Sequence, residues 1–522
     1  MDNPKAFYVT TPIYYVNAPP HLGHAYTTIV ADVLARFHRM AGYSTFFLTG
    51  TDEHGDKVVR AADEKGMSPK AYADEISALF RALWPHLNIS NDHFIRTTDE
   101  DHRRVVQSIL QTVYDKGDIY FGEYGGYYCV GCERFVTETE LDNGKCPDHQ
   151  TEPEFRKEKN YFFAMSKYRQ WLVEHIRENQ DFIRPERYRN KILSSIEESL
   201  DDLCISRPKE RLSWGIPLPF DSNYVTYVWF DALINYVSGI GYPSDPRFLR
   251  FWPEANHLIA KDILIPHGIY WPAMLKAAGI RPYLHLNVHG YWNIEGGKMS
   301  KSKGEIVDPL DLEDEYGLDA FRYFLMREMV FGLDASFSES ALVGRLNADL
   351  ANDLGNLLSR SLAMVMKYFK GFAPEPASLE TLDQALKDHA LRTVASFESE
   401  MKDLGFHKAL MATWDFIGHV NKYIDETAPW NLAKDNTKRH RLATVLYETL
   451  ECLRIIACLL VPFMPHTGEK VWTQLGMDGT IHHESLETVK EWGRVRAGQP
   501  VQKGAPLFPR IEPVQSDGQE DS

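Results

Sequence analysis

The sequence predicts an α/β protein: a parallel-sheet unit split by a cysteine-bearing insertion and followed by an all-helical region. Three observations carry this. Near the N-terminus a β-prone run, a helical run and a second β-prone run follow one another, an order that implies a parallel sheet with ligands beyond the strand C-termini. Residues 116–223 then change character to aromatic, Gly-rich segments that hold Cys129, Cys132 and Cys146. After Phe337, leucines recur at helical spacing, at Leu342, Leu346, Leu350, Leu354, Leu357 and Leu362.

Taken in order, residues 6–11 form the first apolar strand, and Asn17, Pro19 and Pro20 supply a turn. Ile29, Val33, Leu34 and Phe37 set a helix over residues 26–40, with Gly42 as its stop. A second strand covers residues 44–49 and runs into Gly50-Thr51-Asp52-Glu53-His54-Gly55. The α/β pattern is expected to resume at 224–237 and again at 284–291. Helices continue from 341 to about 475, and the last thirty residues read as a loosely packed tail. At 522 residues, roughly three or four structural units are expected.

Composition is that of an ordinary soluble globular chain, 44% apolar and 25% charged. The start of the chain lacks the basic and apolar pattern of a signal peptide, and the apolar stretch 455–464 is too short to span a bilayer. A cytoplasmic location without membrane contact is expected. A net charge of −16 argues at first against a polyanionic partner, yet local basic surface can still bind nucleic acid. The clusters at 184–191 and 434–441 taken singly read as solvated helix faces.

Three motifs carry chemistry. His21-Leu22-Gly23-His24 lies where the first strand's loop enters a helix, whose N-terminal N–H groups and dipole suit phosphate. Residues 296–304 form a Gly-flanked loop whose lysines and serines, with Lys298, Ser300 and Lys301, offer donors to a triphosphate and can close on it. Cys129-x2-Cys132-x13-Cys146-x2-His149 has the spacing of two half-sites joined by tetrahedral Zn²⁺, in preference to reduced cysteines. The scattered Cys204, Cys452 and Cys458 read as small buried hydrophobes.

The first two motifs together resemble the HIGH and KMSKS signatures of class I aminoacyl-tRNA synthetases. Residues 8–24, 49–55, 227–236, 261–262 and 289–292 resemble methionyl-tRNA synthetases in particular, in the shorter bacterial form. The resemblance implies a Rossmann-like catalytic domain in halves 1–115 and 224–292 and a connective insertion 116–223 bearing a structural zinc knuckle. It also implies a KMSKS and stem-contact region 293–338, an anticodon-binding bundle 339–480 and a tail 481–522. Pro12, Ile13, Tyr15, Trp229, Ala232, Leu233, Tyr236, Ile263 and His267 would line the methionine pocket. Asp52 would hold the α-ammonium. Leu233 and Pro266 depart from some relatives, which have proline and an aromatic residue there.

In the same way, His21, Gly23 and His24 would meet the ATP phosphates, Asp262 the ribose, and Lys298, Ser300 and Lys301 the leaving pyrophosphate, with Mg²⁺ accompanying ATP. Asn352, Asn356 and Arg360 recur at i, i+4 and i+8. The resemblance makes Asn356 and Arg360 readers of the anticodon and Trp430 a stacking platform, on initiator and elongator tRNA(Met) and not on DNA. Lacking the C-terminal appendage of longer relatives, the chain is expected to be a monomer.

Isoleucine, valine and leucine synthetases share both signatures but need a large editing domain, for which the insertion is too short. A cysteine synthetase would place zinc in the amino-acid pocket. A non-catalytic relative would be expected to show decay of the histidine or lysine motif, and both stand intact. A plain nucleotidyltransferase would leave the helical region unexplained.

Overall fold

The computed structural model describes residues 4–129, 134–136, 141–147, 150–294, 297–298 and 308–511. Contacts divide the chain into two compact units, one of Ala6–Ala31 with Thr45–His289, the other gathering Asp32–Ser44 and the chain from Gly290 onward.

The first unit is built on a parallel sheet. Its N-terminal part runs β1 (Ala6–Tyr15), α1 (Leu22–Met40), β2 (Ser44–Asp52), β3 (His93–Arg96) and α2 (Glu100–Asp115). A second, four-stranded sheet follows, from β4 (Ile119–Cys129), β5 (Arg134–Val136), β6 (Glu154–Phe163) and, after β7 (Ile183–Arg184), β8 (Leu203–Cys204). Then come β9 (Ser206–Pro208), β10 (Tyr224–Thr226), two short helices α3 (Val228–Ala232) and α4 (Asn235–Ser238), and finally β11 (Ala255–Ala260) and β12 (His285–His289). The main sheet has the order β3-β2-β1-β11-β12-β7, and β2–β3, β1–β11, β11–β12 and β12–β7 pair in parallel. Strand order reverses between β1 and β11, and at such a switch point the connections leave in opposite directions and open a crevice at the strand C-termini.

One expectation needs correcting here. The segment 116–223 is not wholly outside the main sheet, because Ile183 and Arg184 pair with Leu286 and Asn287 at its edge. A two-residue strand carries no periodicity to detect. The α/β pattern resumes at 224–237, though not in the main sheet: Tyr224–Thr226 pairs antiparallel with β9, and the chain then turns helical. That run is buried throughout from Val225 to Val237 save Trp229, and a short run buried on all sides has no period to separate strand from helix. Gly50 is needed for β2 to meet β3, since a Cβ there would lie 2.0 Å from the Ile95 carbonyl oxygen.

The second unit holds a small sheet of β13 (Trp292–Ile294), β14 (Gly297–Lys298) and β15 (Ala335–Phe337) and then helices. Among these are α5 (Leu318–Glu328), α6 (Asn356–Phe369), α7 (Thr381–Lys402), α8 (Phe406–Thr427) and α9 (Arg439–Leu460). The expected helix from 341 to 369 is present but is interrupted by a π-helical stretch, Leu346–Gly355, immediately before α6. A π turn holds an extra residue, so Asn352 is carried off the line of Asn356 and Arg360. It bonds Arg510 instead.

The tail is a further correction. Residues 486–501 pack on α9, with Leu486, Val489, Val495 and Val501 buried. Arg454 donates to the Glu491 carbonyl at 2.6 Å, Tyr447 to that of Val495 at 2.7 Å, and the Trp492 indole to Glu448 at 3.1 Å. Polar hooks on α9 hold a segment with too few apolar residues to announce itself in sequence. Cys452 and Cys458 are buried in α9 as expected, whereas Cys204 is half-buried.

Arg322 in α5 is fully buried and donates to Asp32 at 2.6 Å and to the Phe463 carbonyl at 2.9 Å. Asp32 is equally buried and also accepts from Arg36 at 2.7 Å. Removing one member of such a pair strands the other in low dielectric. Arg322→Ala should therefore destabilise the second unit by about 3–5 kcal/mol, read as a lower melting temperature or denaturation midpoint.

Candidate active site

The crevice at the switch point is lined by the ends of β1, β2 and β11. From β1 come Pro12, Ile13 and Tyr15, from β2 comes Asp52, and just past β11 lie Asp262, Ile263 and His267. Helix α1 starts at Leu22, so His21, Gly23 and His24 sit at its N-terminus. The two imidazoles stack with centroids 3.8 Å apart, and His24 Nδ1 accepts from the His21 backbone N–H at 3.1 Å. His21 Nδ1 accepts from the Gly23 N–H at 3.1 Å, and a Cβ on Gly23 would come within 3.0 Å of that imidazole. Gly23 thus makes room for His21 itself.

Asp52 is held from both sides through its neighbours. Its own carbonyl accepts from the Val16 N–H at 3.1 Å. Glu53, fully buried, receives Arg96 in bidentate fashion at 2.6 and 2.9 Å and the Thr98 hydroxyl at 2.6 Å. Burial alone would lower the Arg96 pKa, but the hydrogen bonds and charges of Glu53 and of Asp74, 2.5 Å away, outweigh it and raise it above its ordinary value. On the other side His54 Nδ1 lies 2.6 Å from Asp231, whose second oxygen is 2.7 Å from His102 Nε2. His102 Nδ1 in turn meets Ser238 at 2.8 Å. All three of His54, Asp231 and His102 are buried. Burial alone would push the Asp231 carboxyl up, but the charge and hydrogen bonds of His54 and His102 outweigh it and hold it below its ordinary value.

Asp231 is in α3 beside Trp229 and Ala232, so this buried bridge ties the wall of the crevice to the loop that carries Asp52. The motif reading missed Asp231, His54, His102 and Arg96. Asp231 stands out as an acid in an apolar run, but partners 43 to 177 residues apart cannot be matched from one sequence.

The apolar wall is continuous with the core: Leu233 and Tyr236 are buried in it, and Ile13, Tyr15, Trp229 and Ile263 pack against it half-buried. His267 is buried, and its pKa is pushed down to about 4 by burial, so the ring is neutral. Its Nδ1 lies 2.9 Å from the Ile263 carbonyl and must donate there, which leaves Nε2 to accept from the Tyr236 hydroxyl at 2.7 Å. Behind them His257 lies 2.9 Å from Thr10 and receives the Trp271 indole N–H at 3.1 Å. Tyr236 and His267 thus satisfy one another, as do His257, Thr10 and Trp271.

Asp262 is exposed at the crevice rim. The backbone of Lys298 is placed in β14, opposite Asn293, while Ser300 and Lys301 lie outside the described residues.

Cys129 and Cys146 form a separate buried cluster, with Tyr127 and Leu141 packed on it among the described residues. The Cys146 backbone closes a turn, donating to the Thr151 carbonyl at 2.9 Å and accepting from the Gln150 N–H at 2.7 Å. Two buried cysteines in one cluster fit a thiolate-bound metal. Cys132 and His149 lie outside the described residues.

In the helical unit, Asn356 is exposed and Trp430 is 40% exposed on a short helix. Arg360 donates to Asp425 and to the Asn421 carbonyl, both at 3.0 Å. Asp425 therefore orients a neighbour.

Comparison with known proteins agrees with this geometry. The model for "tRNA synthetases class I (M)" matches residues 7–152 and 137–362, and that for "Anticodon-binding domain of tRNA ligase" matches 383–503. Among similar proteins, the methionine–tRNA ligase of Caldanaerobacter subterraneus subsp. tengcongensis is 49% identical over 510 residues, covering 97% of this chain and 79% of its own. That of Streptomyces coelicolor is 44% identical, covering 97% of both chains. The methionyl-tRNA synthetase of Mycobacterium tuberculosis, solved in complex with methionyl-adenylate, superposes with a TM-score of 0.93 at 42% identity, over 97% of this chain and 100% of that one. A parallel sheet with a switch-point crevice, a histidine pair at the first helix N-terminus and these full-length likenesses lead to one conclusion: the chain belongs to the methionyl-tRNA synthetases of class I, and is a methionine–tRNA ligase.

Proposed function

We propose that methionine binds in the crevice with its α-ammonium on Asp52 and its thioether among Pro12, Ile13, Tyr15, Trp229, Ala232, Leu233, Tyr236, Ile263 and His267. The observation that carries this is the fixing of Asp52 between the Glu53–Arg96 pair and the His54–Asp231–His102 bridge. A charge-assisted bond orients a substrate only as well as its own carboxylate is held. Methionine has no strong polar handle, and Tyr236 and His267 already bond each other, so neither rewards a polar competitor there. Sulfur beside Trp229 and Tyr15 adds a favourable contact of about 0.3–1.5 kcal/mol.

The methionine carboxylate then attacks the α-phosphate of ATP, giving methionyl-adenylate and pyrophosphate. The terminal 2′-hydroxyl of tRNA(Met) next attacks the activated carbonyl and releases AMP. No protein nucleophile is needed; positioning and charge stabilisation suffice. His21 and His24, with the α1 N-terminus and Gly23, face the phosphates, and Asp262 holds the ribose. Lys298, Ser300 and Lys301 take the charge of the leaving pyrophosphate, and Mg²⁺ accompanies ATP. Asn356 and Arg360 read anticodon bases while Trp430 stacks on one. Cys129, Cys132, Cys146 and His149 hold one structural Zn²⁺, which ties together the turns that carry them.

The direct test is exchange of labelled pyrophosphate into ATP, run separately with each of the twenty amino acids. Methionine alone should support it, and exchange with a different amino acid would remove the assignment. In that assay Lys301→Ala should raise the barrier by about 2–4 kcal/mol, or roughly 30- to 1,000-fold in rate. Asp231→Asn keeps shape but removes the charge from the buried bridge. It should lower kcat/KM for methionine by about 100-fold with the fold intact, and unchanged kinetics would refute its positioning role. Metal analysis of fresh protein should find close to one zinc; less than about half an equivalent would count against the tetrahedral site.

A further inference from the structure

In the helical unit, two imidazoles and one carboxylate converge where α7 and α8 pack. His389 comes from α7, while Asp415 and His419 come from one face of α8, four residues apart. His389 Nε2 lies 3.1 Å and His419 Nδ1 3.5 Å from the same Asp415 oxygen, Oδ2. A ligand atom from each of the three lies within 4.8 Å of the other two. We propose that His389, Asp415 and His419 form a second metal site, a facial N₂O set for a divalent transition ion such as Zn²⁺, clasping α7 to α8.

The dimensions favour this. A tetrahedral zinc with bonds of 2.0–2.1 Å sets its ligand atoms about 3.3 Å apart, and the separations of 3.1 and 3.5 Å bracket that value. The donor types suit the ion, since imidazole prefers zinc, copper or nickel, and a single carboxylate adds charge without favouring calcium. His389 is half-buried and its ring lies parallel to Phe416 at 5.8 Å, which restrains one ligand in advance. Asp415 and His419 are exposed, so the remaining coordination position opens to water. Among the described residues Asp415 forms no ion pair with lysine or arginine that would compete for it. His419 Nδ1 also lies 2.9 Å from the Asp415 carbonyl, a hydrogen bond that capture at this nitrogen would replace.

The site is separate from the cysteine cluster, being made of other residues in the other unit. It also leaves Arg360 alone, whose partners Asn421 and Asp425 lie two and six residues past His419 on other faces of α8.

The test is titration of the full-length chain with Zn²⁺, after loosely held metal has been dialysed away and the retained zinc counted. The wild type should bind one equivalent more than His389→Ala, His419→Ala or Asp415→Asn. Each variant should retain its cysteine-bound zinc and its pyrophosphate exchange. Loss of an outer-shell partner alone costs ~10–100-fold in metal affinity, so loss of a ligand should weaken this equivalent by at least ~100-fold. Added Zn²⁺ should raise the melting temperature of the wild type and leave that of His389→Ala unmoved. Equal uptake by the wild type and the three variants, or no uptake beyond the cysteine-bound zinc, overturns the proposal.

Discussion

The proposed amino-acid site rests on one buried carboxylate. Asp231 is gripped by His54 on one side and His102 on the other, at 2.6 and 2.7 Å, where water cannot reach. Through His54 it fixes the loop that carries Asp52; through its own helix it fixes Trp229 and Ala232; through His102 and Ser238 it reaches α4, which carries Tyr236. A buried ionic cluster is weak evidence for stability, because well-packed apolar groups of the same volume often do as well. What apolar packing does not supply is direction. Hydrogen bonds at these lengths set both distance and angle, and the two halves of an amino-acid pocket must keep register to a fraction of an ångström for the carboxylate to meet the α-phosphate.

The same logic separates what the sequence displays from what it hides. Features that depend on neighbours along the chain were legible. The helix behind His21-Leu22-Gly23-His24, the leucine spacing of the helical region and the paired cysteines are all local patterns. Each is set by a period or a spacing that one chain shows on its face. Features that depend on distant partners were not legible. β7 is two residues long and exists only because β12 offers it an edge. Val225 to Val237 has no period because nearly every side chain in it is buried. The packed segment 486–501 is held by Tyr447, Glu448 and Arg454, which give no sign in sequence of facing it. Asp231 belongs with these: an acid in an aromatic run announces a partner without saying which.

The π-helical stretch Leu346–Gly355 shows how a small irregularity redirects a functional surface. By α-helical counting, Asn352, Asn356 and Arg360 form one stripe. The extra residue per turn breaks the stripe after Asn352, whose amide bonds Arg510 while Asn356 stays exposed. Ordinary helical periodicity resumes at Asn356, so Asn356 and Arg360 keep the i, i+4 relation that the base-reading proposal needs.

Net charge, −16, and binding to RNA are reconciled by how single guanidinium groups are placed. Arg441, from a cluster that reads as a solvated face, turns inward and donates to buried Asp383 at 2.9 Å, so it is structural. Arg360 has a different setting, with a 36% exposed side chain steadied by exposed Asp425 and by a backbone carbonyl. A surface pair of this kind is worth only about 0–1 kcal/mol, which leaves the guanidinium free to exchange partners at little cost. Its planar fork is nonetheless already aimed, so fewer rotamers are lost when a base edge or phosphate replaces the carboxylate. An acidic protein can therefore bind a polyanion without a broad basic field. A few arginines held in readiness by acids that they can leave give affinity at the contact, while the overall charge discourages binding elsewhere.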